Sequence, residues 1–215
     1  LVRPESNNEN EAQSFGCNSW LLNSNSKRLI FSELYGDLLQ NEDLHPLNIL
    51  DVGAGMNLAQ KKIAKRHNYT ILDLLAHDNL QRASSFCERE KINLIVGDWF
   101  DILDKQGEYD LIICNDLFPN VDQRLPEFLS LAKKKWPKSS FRMSMTYYPS
   151  LRFYNVKRTD ADELMCLRAW DGEDCLRALQ KGYIQISKSY REKFINFNKS
   201  IFPNGRCVVI FKTEE

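Results

Sequence analysis

Two glycines that follow an apolar run constrain this chain more than any other feature. The run Asn48–Val52 leads into Gly53 and Gly55, and a helix-compatible segment, Leu58–Arg66, comes next. This order predicts a β-strand that turns tightly into a helix. Glycine permits positive φ angles and close approach of the backbone to a ligand, and a helix N-terminus offers free N–H groups. The stretch therefore predicts a ligand site.

The residues around the turn separate two cofactor classes. A dinucleotide site favours G-x-G-x-x-G, but the third glycine position is Leu58 here. An acid, Asp51, lies two residues before the first glycine, and the turn resembles motif I of the class I S-adenosylmethionine-dependent methyltransferases, an acid followed by G-x-G-x-G. The third glycine of that form is Asn57 in this chain. The alternative is an ordinary strand–helix turn of another α/β protein.

A second acid follows at a distance that suits an adenosyl ligand. Tyr69–Asp73 reads as the second strand, and Asp73 ends it 18 residues after Gly55. A carboxylate at the end of the second strand of a βαβ unit can accept hydrogen bonds from both ribose hydroxyls. The spacing therefore predicts that Asp73 binds the ribose.

The third strand, Ile92–Val96, is followed by Asp98, Trp99 and Phe100. The resemblance implies that an acid at this place binds the adenine amino group and that its neighbour packs on the ring. A carboxylate can accept from an exocyclic amino group and an aromatic side chain can cover a purine face. Simple core packing is the alternative for Trp99.

The fourth strand, Tyr109–Cys114, is the most apolar and is predicted to lie at the centre of the sheet. Ligands of open α/β sheets lie beyond the carboxyl ends of the central strands, so Asn115 and Asp116 should face the transferable methyl group. We expect Asp116 to act as a general base, with Tyr147 or Tyr148 at the end of the fifth strand as orienting groups. Positioning without any base is the rival mechanism.

Cations and aromatics crowd the segment Pro149–Asp162, which is predicted to be a loop over the cleft. Arg152, Tyr154 and Arg158 belong to it, and guanidinium groups there would bind a phosphate or carboxylate. A solvated linker is the alternative. The apolar spacing that follows predicts a helix over Ala161–Lys181.

Two further strands, Tyr183–Ser187 and Arg206–Lys212, complete a count of seven. The predicted fold is α/β, with a doubly wound, mostly parallel seven-stranded sheet and an N-terminal helical extension. The resemblance to the class I methyltransferases covers Leu47–Lys212. We therefore divide the chain into an N-terminal segment, residues 1–46, and an α/β domain, residues 47–215, that is expected to bind S-adenosylmethionine.

The N-terminal segment has two parts. Leu1–Ser14 is rich in Asn, Glu and Ser and is predicted to be mobile or to lie across the surface. Apolar residues then recur at helical spacing over Ser26–Gln40, which predicts an amphipathic helix. This helix either covers the substrate cleft or only packs against the domain.

Composition limits the classes of function. The 29 basic and 29 acidic residues cancel, which disfavours duplex nucleic acid and anionic membranes as partners but leaves a local basic patch open. No apolar run approaches the roughly 20 residues of a membrane span, and no signal peptide is evident, so we expect a cytoplasmic protein. The six cysteines and three histidines show neither C-x-x-C pairs nor clusters, so no metal site is predicted.

These observations predict a methyltransferase that uses S-adenosylmethionine to methylate an oxygen or nitrogen of a small-molecule or glycan-like acceptor, which would be anionic if the cations of the loop bind it. A non-catalytic methyltransferase-like scaffold, an RNA methyltransferase and a nicotinamide-dependent oxidoreductase are the alternatives, and the sequence does not specify an oligomeric state. The predicted site comprises catalytic Asp116 and Tyr147; cofactor-binding Asp51, Gly53, Ala54, Gly55, Asn57, Asp73, Leu74, Asp98, Trp99 and Asn115; and substrate-binding Tyr148, Arg152, Tyr154 and Arg158.

Overall fold

The computed structural model of the chain describes residues 15–40, 45–76, 78–103, 107–157, 164–182 and 200–213. Its helices are α1 (Gly16–Asn23), α2 (Asn25–Gln40), α3 (Gln60–Ala64), α4 (Leu80–Glu90), α5 (Trp99–Ile102), α6 (Leu125–Lys135) and α7 (Gly172–Lys181). Its strands are β1 (Asn48–Val52), β2 (Asn68–Asp73), β3 (Asn93–Val96), β4 (Leu111–Asn115), β5 (Ser140–Tyr147), β6 (Phe153–Lys157), β7 (Leu164–Arg168) and β8 (Cys207–Lys212).

Six of these strands form one sheet in the order β3-β2-β1-β4-β5-β8. β1 pairs in parallel with β2 and with β4, and β2 pairs in parallel with β3. The mostly parallel α/β fold is therefore confirmed, and β4 lies at the centre of the sheet as predicted. The described part of the sheet has six strands where seven were expected, and the predicted strand Tyr183–Ser187 lies outside the described residues.

The central strands are mostly apolar because both of their faces are covered, although β1 also contains the buried Asp51. In β4, residues Leu111–Cys114 are all buried, and Ile49, Leu50 and Val52 of β1 are buried as well. Register follows from this pairing: Val52 lies opposite Leu72 and Cys114, and Asp73 lies opposite Val96. The parallel register places the carboxyl ends of β1, β2 and β3 along one edge.

The segment after β5 differs from the prediction. β6 and β7 pair as an antiparallel hairpin, with Phe153 opposite Arg168, where a loop and the first part of a helix were expected. The predicted helix over Ala161–Lys181 was wrong in its first half, and α7 begins only at Gly172. Asp171 caps α7 because its carboxylate accepts from the Asp174 N–H, while the Asp174 side chain accepts from the Asp171 N–H.

The predicted amphipathic helix is confirmed as α2. Its buried face consists of Ile30, Phe31, Leu34, Tyr35 and Leu38. Arg142 of β5 donates to both carboxylate oxygens of Asp37, each at 2.7 Å, and to the Leu34 carbonyl at 2.9 Å. This bidentate pair fixes α2 against the first part of β5.

The chain divides into two compact units. Unit 1 comprises Leu1–Asn115, Lys138–Met143 and Lys212–Glu215, and unit 2 comprises Asp116–Pro137 and Ser144–Phe211. All six cysteines belong to described residues and are free thiols. Within the described ranges, no helix combines the length and the apolarity that crossing a bilayer requires.

Candidate functional site

The glycine turn of unit 1 has the backbone that its sequence predicts. Gly53 and Gly55 have φ angles of +67° and +56°, in the left-handed region that residues other than glycine rarely adopt. The Gly53 N–H donates to the Leu72 carbonyl at 2.8 Å, and the Gly55 N–H donates to Oδ2 of Asp73 at 2.8 Å. The turn is thus tied to the end of β2.

Because Gly55 has no side chain, the side chain of Cys17 can pack directly against it. A Cβ atom built at Gly55 would overlap Sγ of Cys17, which belongs to α1. Burial, followed by the charges of Asp78 and Asp73, raises the pKa of the Cys17 thiol to about 12, so the thiol remains protonated at neutral pH. Ala54, between the two glycines, is half-buried.

Asn57, which replaces the third glycine of the motif, closes the turn through its side chain. Its Oδ1 accepts from the Ala59 N–H at 3.0 Å, and its own N–H donates to Gln60 Oε1 at 2.9 Å. Gln60 Nε2 also donates to the Gly55 carbonyl at 2.8 Å. The side-chain amides of Asn57 and Gln60 therefore hold the turn at the place where the motif has its third glycine.

Asp51 lies below the turn and is only 1% exposed. Its Oδ2 accepts from the hydroxyls of Tyr35, at 2.9 Å, and Tyr69, while its Oδ1 is buried without a hydrogen-bond partner. Burial raises the pKa of Asp51 to about 7, although the two tyrosine hydrogen bonds oppose this rise. This predicted cofactor-binding residue is part of a buried polar cluster.

Asp73 accepts a backbone hydrogen bond on each carboxylate oxygen. Oδ2 accepts from the Gly55 N–H, and Oδ1 accepts from the Leu75 N–H at 2.6 Å. Asp78 does the same for two more amides, since Oδ1 accepts from Gly16 and Oδ2 from Met56, each at 3.0 Å. The sequence analysis did not predict this role of Asp78. The feature that could have indicated it is an acid shortly before the start of α4.

Exposed apolar side chains surround the strand-tip acids of unit 1. Leu74, Val96 and Phe100 are 62%, 45% and 53% exposed, although large apolar side chains are usually buried. Asp98 caps α5, because its Oδ1 accepts from the Phe100 N–H at 2.9 Å. Trp99 is buried and meets Phe100 edge-on, so Phe100 is the aromatic ring of this pair that faces solvent.

Unit 2 begins with Asp116, which follows the half-buried Asn115 at the tip of β4. Asp116 has a φ angle of +60°, and its N–H donates to the carbonyl and the hydroxyl of Ser144, at 3.2 Å and 2.9 Å. Its Oδ1 accepts from the Thr146 hydroxyl at 2.7 Å. Backbone and side-chain bonds to β5 therefore hold the carboxylate in one orientation.

A cavity of about 300 Å³ opens in unit 2. Its walls come from the end of β5, the hairpin and two turns, and consist of Pro119, Asn120, Thr146, Tyr148, Tyr154, Ala169, Trp170, Asn204 and Arg206. The predicted substrate residues Tyr148 and Tyr154 both line it, and the Tyr154 hydroxyl donates to the Asn120 carbonyl at 3.1 Å. Burial, followed by the neighbouring Tyr148, raises the pKa of Tyr154.

The other predicted residues of unit 2 lie elsewhere. Tyr147 is buried in the core, where burial raises the pKa of its hydroxyl, and the wall position belongs to its neighbour Tyr148. The Arg152 guanidinium stacks on the Tyr148 ring at 4.5 Å, and Arg158 lies outside the described residues. The sequence analysis did not predict two wall residues, Trp170 and Arg206. Trp170 follows the hairpin, and Arg206 directly precedes β8.

Known structures share this fold at low sequence identity. The N-terminal domain of EvdMO1 with S-adenosylhomocysteine bound is 16% identical and superposes with a TM-score of 0.52, over 74% of each chain. An S-adenosylmethionine-dependent methyltransferase from Mesorhizobium loti is 16% identical, with a TM-score of 0.50 over 78% of this chain and 84% of that one. No protein-family model and no curated protein matches the sequence.

A third neighbour is larger than this chain. Phosphoethanolamine N-methyltransferase 1 from Haemonchus contortus, in complex with phosphoethanolamine and S-adenosylhomocysteine, is 19% identical with a TM-score of 0.46. The match covers 64% of this chain but only 30% of that one. The strand order and the two neighbours with TM-scores of 0.52 and 0.50 show that the chain has the fold of the class I S-adenosylmethionine-dependent methyltransferases.

Proposed function

We propose that the protein is an S-adenosylmethionine-dependent methyltransferase that methylates an oxygen or nitrogen of a small-molecule or glycan-like acceptor. Asp73 is the observation that carries the proposal. Its carboxylate ends β2 beside the glycine turn and is flanked by the exposed Leu74 and Val96. A fixed acid bordered by solvent-facing apolar groups suits a nucleoside, which has a polar diol and a flat apolar base.

The residues of unit 1 fit the adenosine part of the cofactor. Each oxygen of Asp73 carries one backbone N–H, and a carboxylate oxygen has a second lone pair for a ribose hydroxyl. Phe100 offers an exposed ring for the adenine face, and the Asp98 carboxylate, which caps α5, is a group that can accept from an amino group. Asp51 supports the turn from below and does not need to touch the ligand.

When bound, S-adenosylmethionine supplies a methyl group on a positively charged sulfur, which is a good leaving group. The chain then has to hold the acceptor in line and remove its proton where it has one. Thr146 lines the cavity of unit 2 and donates to Asp116. We propose that Thr146 Oγ1 takes the proton of an acceptor hydroxyl. At the same time the hydroxyl proton of Thr146 passes to Asp116 Oδ1.

One observation favours a second candidate, a methyltransferase-like scaffold without catalysis. Cys17 fills the space at Gly55 and both oxygens of Asp73 already bind amides, so the turn is complete without a ligand. A scaffold of this kind would bind S-adenosylhomocysteine weakly or not at all. An active enzyme would bind it and would also turn over.

Calorimetric titration with S-adenosylhomocysteine tests both candidates. We expect Asp73→Ala to weaken binding by about 10- to 100-fold, because a buried or half-buried charge-assisted hydrogen bond contributes about 1.5–3 kcal/mol. Asp116→Asn should bind like the wild type but lose at least about 100-fold in turnover, the scale of general-base catalysis. The exposed Asp101→Asn serves as the matched carboxylate control. Unchanged affinity in Asp73→Ala, with both proteins folded, would refute the ribose assignment.

A further inference from the structure

Arg206 differs from the other arginines of unit 2 that the structure describes, because no hydrogen bond of its side chain to another described residue is found. Its Nε is buried without a partner, and no described residue forms an ion pair with its guanidinium group. A buried donor that is left unpaired destabilises the folded protein, and such groups are rare in native structures. The structure therefore keeps a half-buried cation on the cavity wall, and its buried Nε donor has no partner.

The other arginines described in unit 2 are satisfied within the protein. Arg124 pairs with Asp122 at 2.6 Å, and Arg168 and Arg177 share Asp174 at 2.7 Å and 2.6 Å. Arg152 stacks on Tyr148 and donates to the Asn204 carbonyl at 3.0 Å. Among these residues, Arg206 alone faces a cavity without an acceptor.

The backbone around Arg206 is fixed even though its side chain is unpaired. The Arg206 N–H donates to Oδ1 of Asn204 at 3.2 Å, and its carbonyl accepts from the Ser200 hydroxyl at 2.8 Å. The guanidinium lies over the Phe202 ring, 4.9 Å from the ring centre, an arrangement that leaves its edge N–H groups free to donate. The side chain is thus held in place for a ligand.

The rest of the lining adds aromatic walls, and the Asp116 carboxylate lies behind the wall residue Thr146, to which it is hydrogen-bonded. Tyr148, Tyr154 and Trp170 supply three aromatic surfaces, and no carboxylate belongs to the lining that the described residues form. The second guanidinium, that of Arg152, lies over the Tyr148 ring and adds positive charge. A site with a fixed guanidinium and aromatic walls binds an anion attached to a flat or apolar body.

We infer that the acceptor carries an oxyanion, a carboxylate or a phosphate group, which Arg206 binds while the body of the acceptor packs against Tyr148, Tyr154 and Trp170. This inference rests on the proposed function, because it names the class of molecule that the methyltransferase would modify. Arg206 acts as a specificity-determining residue that binds the anion.

Small aromatic probes test the inference on the full chain. Benzoate and phenyl phosphate carry the two oxyanions, and benzyl alcohol is the neutral control of similar shape. Each is titrated calorimetrically into wild type, Arg206→Lys, Arg206→Gln and Arg177→Gln in the presence of S-adenosylhomocysteine. Arg177 is the control because it is exposed on α7 and pairs only at the surface.

We expect at least one oxyanion probe to bind the wild type about 10-fold or more tightly than benzyl alcohol, and the better probe identifies the anion. Arg206→Gln should remove this preference, Arg206→Lys should keep part of it because the charge remains, and Arg177→Gln should behave as wild type. The inference is overturned if neither anion binds better than benzyl alcohol, or if Arg206→Gln binds the anions as the wild type does.

A separate titration with S-adenosylhomocysteine alone distinguishes the two failures. If that ligand does not bind but the Arg206-dependent anion preference is present, the methyltransferase proposal fails and the anion site stands. If it binds and no anion preference is found, the methyltransferase proposal stands and the assignment of Arg206 fails. Retained S-adenosylhomocysteine binding by Arg206→Gln shows that this variant is folded.

Discussion

The glycine turn of unit 1 and the cavity of unit 2 both contain charged side chains, but they use them differently. At the turn, each oxygen of Asp73 and Asp78 accepts a hydrogen bond from a backbone amide. At the cavity, the Arg206 guanidinium has no acceptor among the described residues. Charges of the first kind stabilise the fold, and the proposed contact of Asp73 with the ribose is added to that role. The charge of Arg206 is proposed to serve only a ligand. Substitutions near the turn should therefore change stability first.

The largest effect is expected from Gly55→Ala. The φ angle of +56° costs a residue with a side chain about 1–2 kcal/mol, and the overlap of the new Cβ with Cys17 adds about 1–3 kcal/mol of overpacking. We expect the free energy of unfolding to fall by about 2–5 kcal/mol, as measured by urea denaturation.

Gly205→Ala is the matched control for that substitution. Gly205 also has a positive φ, +84°, but a Cβ built there meets open space, so only the backbone cost should appear. Cys17→Ala combined with Gly55→Ala should recover the steric part, which a double-mutant cycle measures. Equal costs at the two glycines would contradict the seating of Cys17 on the turn.

A smaller, pH-dependent effect is expected from Asp51→Asn. The ordinary pKa of the carboxyl, 3.8, describes the unfolded chain, and burial raises the folded pKa to about 7. Below pH 4 both states hold the proton; between pH 4 and 7 the unfolded chain releases it first, so the wild type loses stability as the pH rises. Relative to wild type, the variant should gain up to about 4 kcal/mol across this window.

Urea denaturation at pH 4, 5.5 and 7 measures this difference. Asp101→Asn, an exposed carboxylate on α5, is the control and should show no such trend. A stability difference between Asp51→Asn and wild type that stays constant with pH would mean that the carboxyl ionises normally in the folded protein. The cluster with Tyr35 and Tyr69 would then stabilise the charged form.

The smallest effect is expected from Arg142→Met. Burial raises the pKa of Asp37, but the hydrogen bonds and the charge of Arg142 outweigh it, so the pKa is lowered. The pair therefore stabilises the fold at neutral pH, and this contribution is lost as the pH falls through the lowered pKa. Because Asp37 is 42% exposed, we expect a loss of only about 1 kcal/mol at pH 7. Arg177→Met should cause no measurable change in stability. An equal loss in the two variants would contradict the conclusion that the Arg142–Asp37 pair stabilises the fold more than the pair of Arg177.

The buried parts of the fold could be predicted because burial imposes a pattern. β1 and β4 are covered on both faces, so their sequences are mostly apolar, with the buried Asp51 as the exception in β1. The hairpin of β6 and β7 was missed because it does not have to bury a face: Phe153 and Leu164 are 61% and 71% exposed. Without a period-2 pattern, the apolar residues of β7 were read together with those of α7 as one helix.

The strand-tip acids were found in the sequence because they follow apolar runs at regular positions. Arg206 was not, because its importance depends on the absence of a partner, which only the folded arrangement shows. The neighbours Tyr147 and Tyr148 show the same limit, because only the structure tells which of the two is buried and which lines the cavity. Alternation along β5 assigns opposite faces to neighbours, but the sequence does not say which face is the core.

Asp78 has a consequence for how the glycine turn can move. One carboxylate connects the Gly16 amide, at the start of α1, to the Met56 amide in the turn. Displacing the turn must either break one of these bonds or carry α1 with it. Trp20, four residues further along α1, is nearly half exposed. A displacement of the turn that moves α1 should therefore change the fluorescence of Trp20.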